Sequence, residues 1–330
     1  MAKRHPNQPP QTRVVRPQSG ERRAQREAEE RERQAQRERE GRQQTIIGII
    51  AAVVIIALVA VGGFFYWKSH RPAPKADSPS ALKSAYQTVQ KVPVKPTGVN
   101  SQGGFLISKN GLDKPVAQAP TVEIYMDFMC PGCAALNRTI DPTLNKMLDA
   151  GQVNVEIYPM SFMDRLTTDE YSARAGSAGI YILEHDTPHF MAYMANLFAK
   201  DFQPDESKYK PVSDAQIKGQ MLKAGVSEQV ADQALKGQYK EWLTAMNKYT
   251  PLRSELWNID GQSKGSMTTP TVRINKRFWP VDTPTKANLG DVEAFLKSIG
   301  LPADQVGQAG KMPSIGAKGA PIALTASSGK

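Results

Sequence analysis

Cysteine is almost absent from this chain: there are two in 330 residues, both inside FMCPGCAAL at 128–136. Two are too few to staple a disulfide-rich scaffold, so the fold has to rest on an apolar core. Apolar residues are themselves nearly missing from 1–44, where about a dozen Lys and Arg are interspersed with Glu. Their spacing supports i,i+4 ion pairs on a helix. With no apolar stripe, the segment is neither a coiled coil nor a core helix, and it reads as a solvated basic tail, mostly disordered or helical. The net charge of +10 draws heavily on this tail, so it does not indicate a nucleic-acid-binding domain.

Charge is missing from the next stretch, TIIGIIAAVVIIALVAVGGFFYW, Thr45–Trp67, which is 23 residues long. At ~1.5 Å per residue it covers roughly 34 Å, enough to cross a hydrocarbon layer. Aromatic residues close it where an interface belt would lie. The tail before it is far longer than the basic head of a secretory signal, so the reading is an uncleaved single-pass anchor. Lys and Arg crowd its N-terminal side, which places the N-terminus in the cytoplasm and everything after Trp67 outside it, where disulfides persist. Residues 68–98 are rich in Pro, Ser and Lys and read as an extracytoplasmic linker, with a short helix predicted over 80–91. Residues 301–330 are rich in Gly, Ala, Pro and Ser, cannot supply a core, and are expected to be a disordered C-terminal tail.

Between them, 99–300 reads as one α/β domain. APTVEIYMDFMC alternates, with Val122, Ile124, Met126 and Phe128 on one side and Glu123, Tyr125 and Asp127 on the other, which predicts a strand. Leu136, Ile140, Leu144, Met147 and Leu148 recur at helical spacing, with Pro142 expected to kink that helix or start a second. QVNVEIYPM is the next strand, and strand–helix–strand implies a parallel pair. Five helical segments within about 164–250 form an inserted helical subdomain. TTPTVRINKRFWPV returns to two strands joined at Asn275-Lys276, and a last helix covers 290–299.

The cysteines lie at the strand-to-helix junction. Pro131 suits the first helical position, so Cys130 falls at the N-cap, where unpaired N–H groups and the helix dipole favour a thiolate over a thiol. Cys133 is one turn further on. A disulfide can form and break there with little backbone movement, so Cys130 is the candidate attacking sulfur and Cys133 the candidate resolving thiol.

The strand TVEIYMDFMCPGCAAL, the helical insert and the later MTTPTV resemble the DsbA-like branch of the thioredoxin superfamily across roughly residues 100–300. The resemblance implies a thioredoxin-like fold and a protein thiol–disulfide oxidoreductase activity. It implies a CPGC active site of Cys130, Pro131, Gly132 and Cys133, and a cis-proline loop at Thr269-Pro270 that offers backbone hydrogen bonds to an extended substrate. It also implies reduced secreted or unfolded proteins as substrates, a DsbB- or VKOR-like membrane protein as reoxidant, and no cofactor, since the sulfurs carry the electrons. The chain departs from the pattern twice. Gly132 stands where many such oxidases carry His, and Ile124 stands where a buried acid is common. Asp127 is the candidate proton relay.

Several alternatives stay open. His185 and His189 in HDTPH could complete a Cys2His2 zinc set, although the interval from Cys133 is far longer than a finger loop. FMAYMANLF at 190–198 could be a Met-rich contact surface of a non-catalytic peptide-binding module. Within redox chemistry, the extracytoplasmic placement favours an oxidase over a reductase or isomerase.

Overall fold

The β-branched and aromatic residues of 121–127 and 154–160 pair as the central strands of the sheet, and the apolar side chains between them stack on one face. In the computed structural model, which describes residues 79–324, six strands line up in the order β2-β1-β4-β3-β5-β6. They are β1 Phe105–Ser108, β2 Gly111–Leu112, β3 Thr121–Asp127, β4 Asn154–Met160, β5 Thr271–Ile274 and β6 Arg277–Trp279. Only β3 and β4 run parallel, with Ile124 opposite Ile157, and every other pairing is antiparallel. Asn275 and Lys276 both take left-handed φ (49° and 65°), as a two-residue primed turn between β5 and β6 requires.

Nine helices accompany the sheet among the described residues: α1 Pro79–Lys91, α2 Pro131–Ala150, α3 Tyr171–His185, α4 Thr187–Leu197, α5 Asp214–Lys223, α6 Glu228–Ala234, α7 Lys240–Tyr249, α8 Thr283–Ala287 and α9 Asp291–Ile299. α2 crosses over between β3 and β4. It is one continuous helix, so Pro142 neither splits it nor restarts it. Gly151, at φ 71°, stops it: its N–H bonds Leu148 O at 3.0 Å, and the N–H of Gln152 reaches Met147 O at 2.8 Å. The five helices α3–α7 are the expected insert and interrupt the sheet between β4 and β5.

The two ends of the domain differ from expectation. The linker assignment over 68–98 holds no free spacer from 79 onward. α1 lies on α7, Val89 and Val92 are buried, and Tyr86 packs on Tyr249 at 5.0 Å. Thr97 donates both its N–H and its hydroxyl to Glu184 of α3, the latter at 2.6 Å. Residues 301–324 are likewise no loose tail. They lack a core of their own but borrow the domain's hydrogen bonds. The buried Gln152 amide donates to Gln305 O (2.8 Å) and Lys311 O (2.6 Å) and accepts from Gly307 N (2.8 Å). Asn275 holds the carbonyls of Gly316 and Gly319 at 2.8 and 2.9 Å. Residues 325–330 lie outside the described part, as do the basic tail 1–44, the expected anchor 45–67 and the first part of the linker, 68–78. Among the described residues, no helix is long and apolar enough to cross a membrane.

Candidate active site

At the C-terminal end of β3 the chain makes one tight turn before α2. Cys130 donates its N–H to Asp127 O at 3.0 Å, and Met129 donates to Asp127 Oδ1 at 2.9 Å. This turn delivers Cys130 to the N-cap in extended conformation (φ −69°, ψ 120°), with Pro131 at the first helical position. Pro131 and Gly132 are exposed, whereas Cys130 is 6% and Cys133 2% exposed. Both thiols are free. The pair lies just beneath a two-residue exposed rim.

The Thr269–Pro270 peptide is cis, and Cys130 Sγ donates to Thr269 O at 3.2 Å. The Pro270 ring lies over Gly132: a Cβ on Gly132 would come within 3.0 Å of Pro270 Cδ. A side chain at 132 would need that loop to give by a few tenths of an ångström, which glycine does not. Thr271 Oγ1 fastens the loop to Thr268 O at 2.7 Å, and Asn258 holds Thr268 Oγ1 at 3.0 Å.

The two thiols are electrostatically unequal. A hydrogen bond from the Cys133 thiol draws the Cys130 thiol down to about 7. Burial opposes that, and the Cys133 backbone N–H and the Thr269 side chain assist it. The helix N-terminus thus acts through one particular N–H as well as through its dipole. Cys133 moves the other way: burial, together with the adjacent Cys130 sulfur, pushes its thiol well above the ordinary value.

Asp127 lies against this pair and is wholly buried. Its carboxylate accepts from Met129 N, from Met163 N at 2.9 Å, and from the Ser172 hydroxyl at 2.6 Å. Burial raises it to about 6 against the pull of those three donors. Its strand neighbours on the same face are buried as well. Glu123 pairs with Arg273 at 2.9 Å, and Tyr125 stacks on Tyr158 at 4.0 Å between centroids.

Cys130, Gly132, Cys133, Thr269, Pro270 and Asp127 are therefore brought together. The histidines are not part of this group. His189 Nδ1 meets Asp186 Oδ1 at 2.6 Å, and the His185 ring lies 4.1 Å from that of Tyr181. Among the described residues, no three His, Cys, Asp or Glu side chains assemble a metal site. The Met-rich stretch at 190–198 is largely core, with Phe190, Met191, Met194, Leu197 and Phe198 buried. Ser172, Met163 and Gln203 were not legible as site residues. Each reaches the redox turn from the segment between β4 and β5, and nothing in local pattern signals a contact across 36 to 73 residues. Chemically, the arrangement offers one acidified sulfur just beneath the exposed Pro131-Gly132 rim, a second sulfur buried more deeply and an acceptor carbonyl beside them, which suits thiol–disulfide exchange.

The thioredoxin family model matches residues 116–289, more than half of the chain, taking in the cysteine pair, the insert and the proline loop. The serine/threonine-protein kinase PknE of Mycobacterium tuberculosis is 26% identical over 99 residues, 29% of this chain and 18% of the kinase, so the chain spans less than a fifth of that relative. Reduced DsbA from Mycobacterium tuberculosis is similar at 26% identity, with 55% of this chain and 87% of that one covered and a TM-score of 0.45. MdbA, a thiol-disulfide oxidoreductase from Corynebacterium diphtheriae, is similar at 23% identity, with 54% and 89% covered and a TM-score of 0.43.

Proposed function

The chain belongs to the thioredoxin family, and from that premise we propose that it is an extracytoplasmic, membrane-anchored thiol–disulfide oxidoreductase that donates a disulfide to secreted or cell-surface proteins. The observation that carries the thiol–disulfide exchange is the inequality of the two sulfurs, Cys130 drawn down to about 7 beneath the exposed rim and Cys133 buried and pushed up, while the donor direction rests on the extracytoplasmic placement. In the proposed cycle the enzyme starts with a Cys130–Cys133 disulfide. A substrate thiolate attacks Cys130 Sγ, the S–S bond breaks, and Cys133 leaves as a thiolate and takes up a proton. Asp127, which lies against Cys133, is the proton relay in this scheme. A second substrate thiolate then attacks the substrate sulfur of the mixed disulfide, and Cys130 departs. Its low pKa makes it the better leaving group. The substrate loses two electrons and the enzyme gains them, so a DsbB- or VKOR-like membrane oxidant has to restore the disulfide.

The main chain beside Pro270 is the proposed seat of an extended substrate segment. The charge-free run at 45–67 and the Lys and Arg before it support the anchor and its orientation.

One observation favours a second reading. A thiol near 7 matches thioredoxin, at about 7, rather than the strong oxidant DsbA, at about 3.5. A reductase or isomerase with the same site would have this property. Measuring the Cys130–Cys133 potential against glutathione separates the two. A potential near about −120 mV supports disulfide donation, and one near about −270 mV replaces it with the reductase. Cys133→Ser in cells should accumulate mixed disulfides on Cys130, with at least about tenfold more substrate trapped than on the wild type. If no such adducts appear, the cycle is wrong.

A further inference from the structure

We infer that Gln203, in the connection between α4 and α5, is a positioning residue for the reacting sulfur. This rests on Cys130–Cys133 being the redox pair. Gln203 Nε2 donates to the main-chain carbonyl of Cys130 at 3.0 Å. That same carbonyl accepts Ala134 N at 3.1 Å, the first hydrogen bond of α2. A carbonyl oxygen has two acceptor sites, and both are filled. The Cys130 N–H is bound to Asp127 O. The peptide groups on both sides of the nucleophile are thereby held, one of them by a side chain 73 residues away.

The orientation of the amide is not arbitrary. Arg138, two turns along α2, places Nη1 2.7 Å from Phe198 O and 3.5 Å from Gln203 Oε1. A guanidinium only donates, so it selects the oxygen of the amide and turns the NH2 toward Cys130. The insert is therefore sewn to α2 twice, and the stitch at Gln203 falls on the residue that bears the reacting sulfur. Cys130 Sγ is acidified only while it sits within reach of the Cys133 thiol and N–H and of Thr269. Without Gln203, the Cys130 carbonyl keeps one helical bond alone and can pivot, carrying the sulfur away from those donors.

The test is the pH profile of Cys130 alkylation by iodoacetamide in the reduced full-length protein, read on the Cys130 peptide. Gln203→Met keeps the bulk and removes the donor. Its midpoint should rise, slowing alkylation at pH 6 by about threefold. Gln203→Asn keeps the amide but is one methylene too short, and should behave as Met does. Gln203→Lys restores a donor and should return the profile to the wild-type midpoint or below. If Met and Asn lower the melting temperature but leave the profile unmoved, Gln203 is a structural tie and the inference is wrong. If the wild-type Cys130 itself titrates as an ordinary thiol, the redox reading fails first, and that outcome is visible before any Gln203 variant is compared.

Discussion

Along β3, Val122, Ile124 and Met126 turn to one side of the sheet while Glu123, Tyr125 and Asp127 turn to the other, and both rows are buried. The first row meets the large apolar core beneath α2 and α9. The second meets partners that are each specific: Arg273 for Glu123, the Tyr158 ring and Arg253 for Tyr125, and three hydrogen-bond donors for Asp127. Burial on the apolar side is non-directional and tolerates repacking. On the polar side, every group has to find its partner at one distance and angle or leave an orphan. The polar face is therefore the one that fixes position, and it ends at Asp127, directly behind the cysteines.

That contrast can be broken most forcefully at Glu123–Arg273. Arg273→Met leaves a buried carboxylate unpaired and should cost about 4 kcal/mol by urea unfolding. Replacing both, as Glu123→Leu with Arg273→Met, should recover most of that loss, because it converts this part of the polar face into the apolar kind. A double variant as unstable as the single one would mean that the pair does more than satisfy itself.

A smaller effect separates Asp127 from an ordinary surface acid. Its carboxyl moves from 3.8 to about 6 on folding. Over that window the folded state holds more protons than the unfolded one, so stability falls as pH rises from about 4 to about 6, by about 3 kcal/mol. Asp141 of α2, raised to about 7 by burial, adds a slope of the same sign that extends to higher pH. Comparing the wild type with Asp127→Asn at pH 4 and pH 7 isolates the Asp127 share. Identical pH slopes would show that Asp127 is not the buried acid its surroundings imply. At the weak end, Tyr125→Phe keeps the stack on Tyr158 and loses the hydroxyl's 3.4 Å contact from Arg253 and its hydrogen bond with Tyr158. It should cost no more than about 1 kcal/mol in the same unfolding experiment.

Much of the site was legible along the chain because its signals are local. Two cysteines around Pro131-Gly132, a strand before them and an apolar period after them place the sulfurs at a helix start. The facing loop at Thr269-Pro270 was legible only through the family resemblance. The five insert helices also follow from pattern, since each carries its own apolar stripe and punctuation. Alternation along β3 told which residues share a face, but not that both faces are covered, because the partners of Tyr125 (Arg253, Leu256) and of Glu123 (Arg273) lie more than a hundred positions later. Composition misread 301–324 for a related reason. That segment carries few apolar groups and is held by main-chain carbonyls gathered on Gln152 and Asn275, a kind of attachment that leaves no mark in hydropathy.

The amino-acid order by itself determined where the two sulfurs stand on the backbone and that one of them caps a helix, since strand, turn and helix are chosen by neighbours a few residues apart. Only the tertiary structure decided how unequal those sulfurs become. Burial of Cys133, the Thr269 side chain and the Gln203 amide all depend on distant segments, and a thiol's acidity depends on what surrounds it in space.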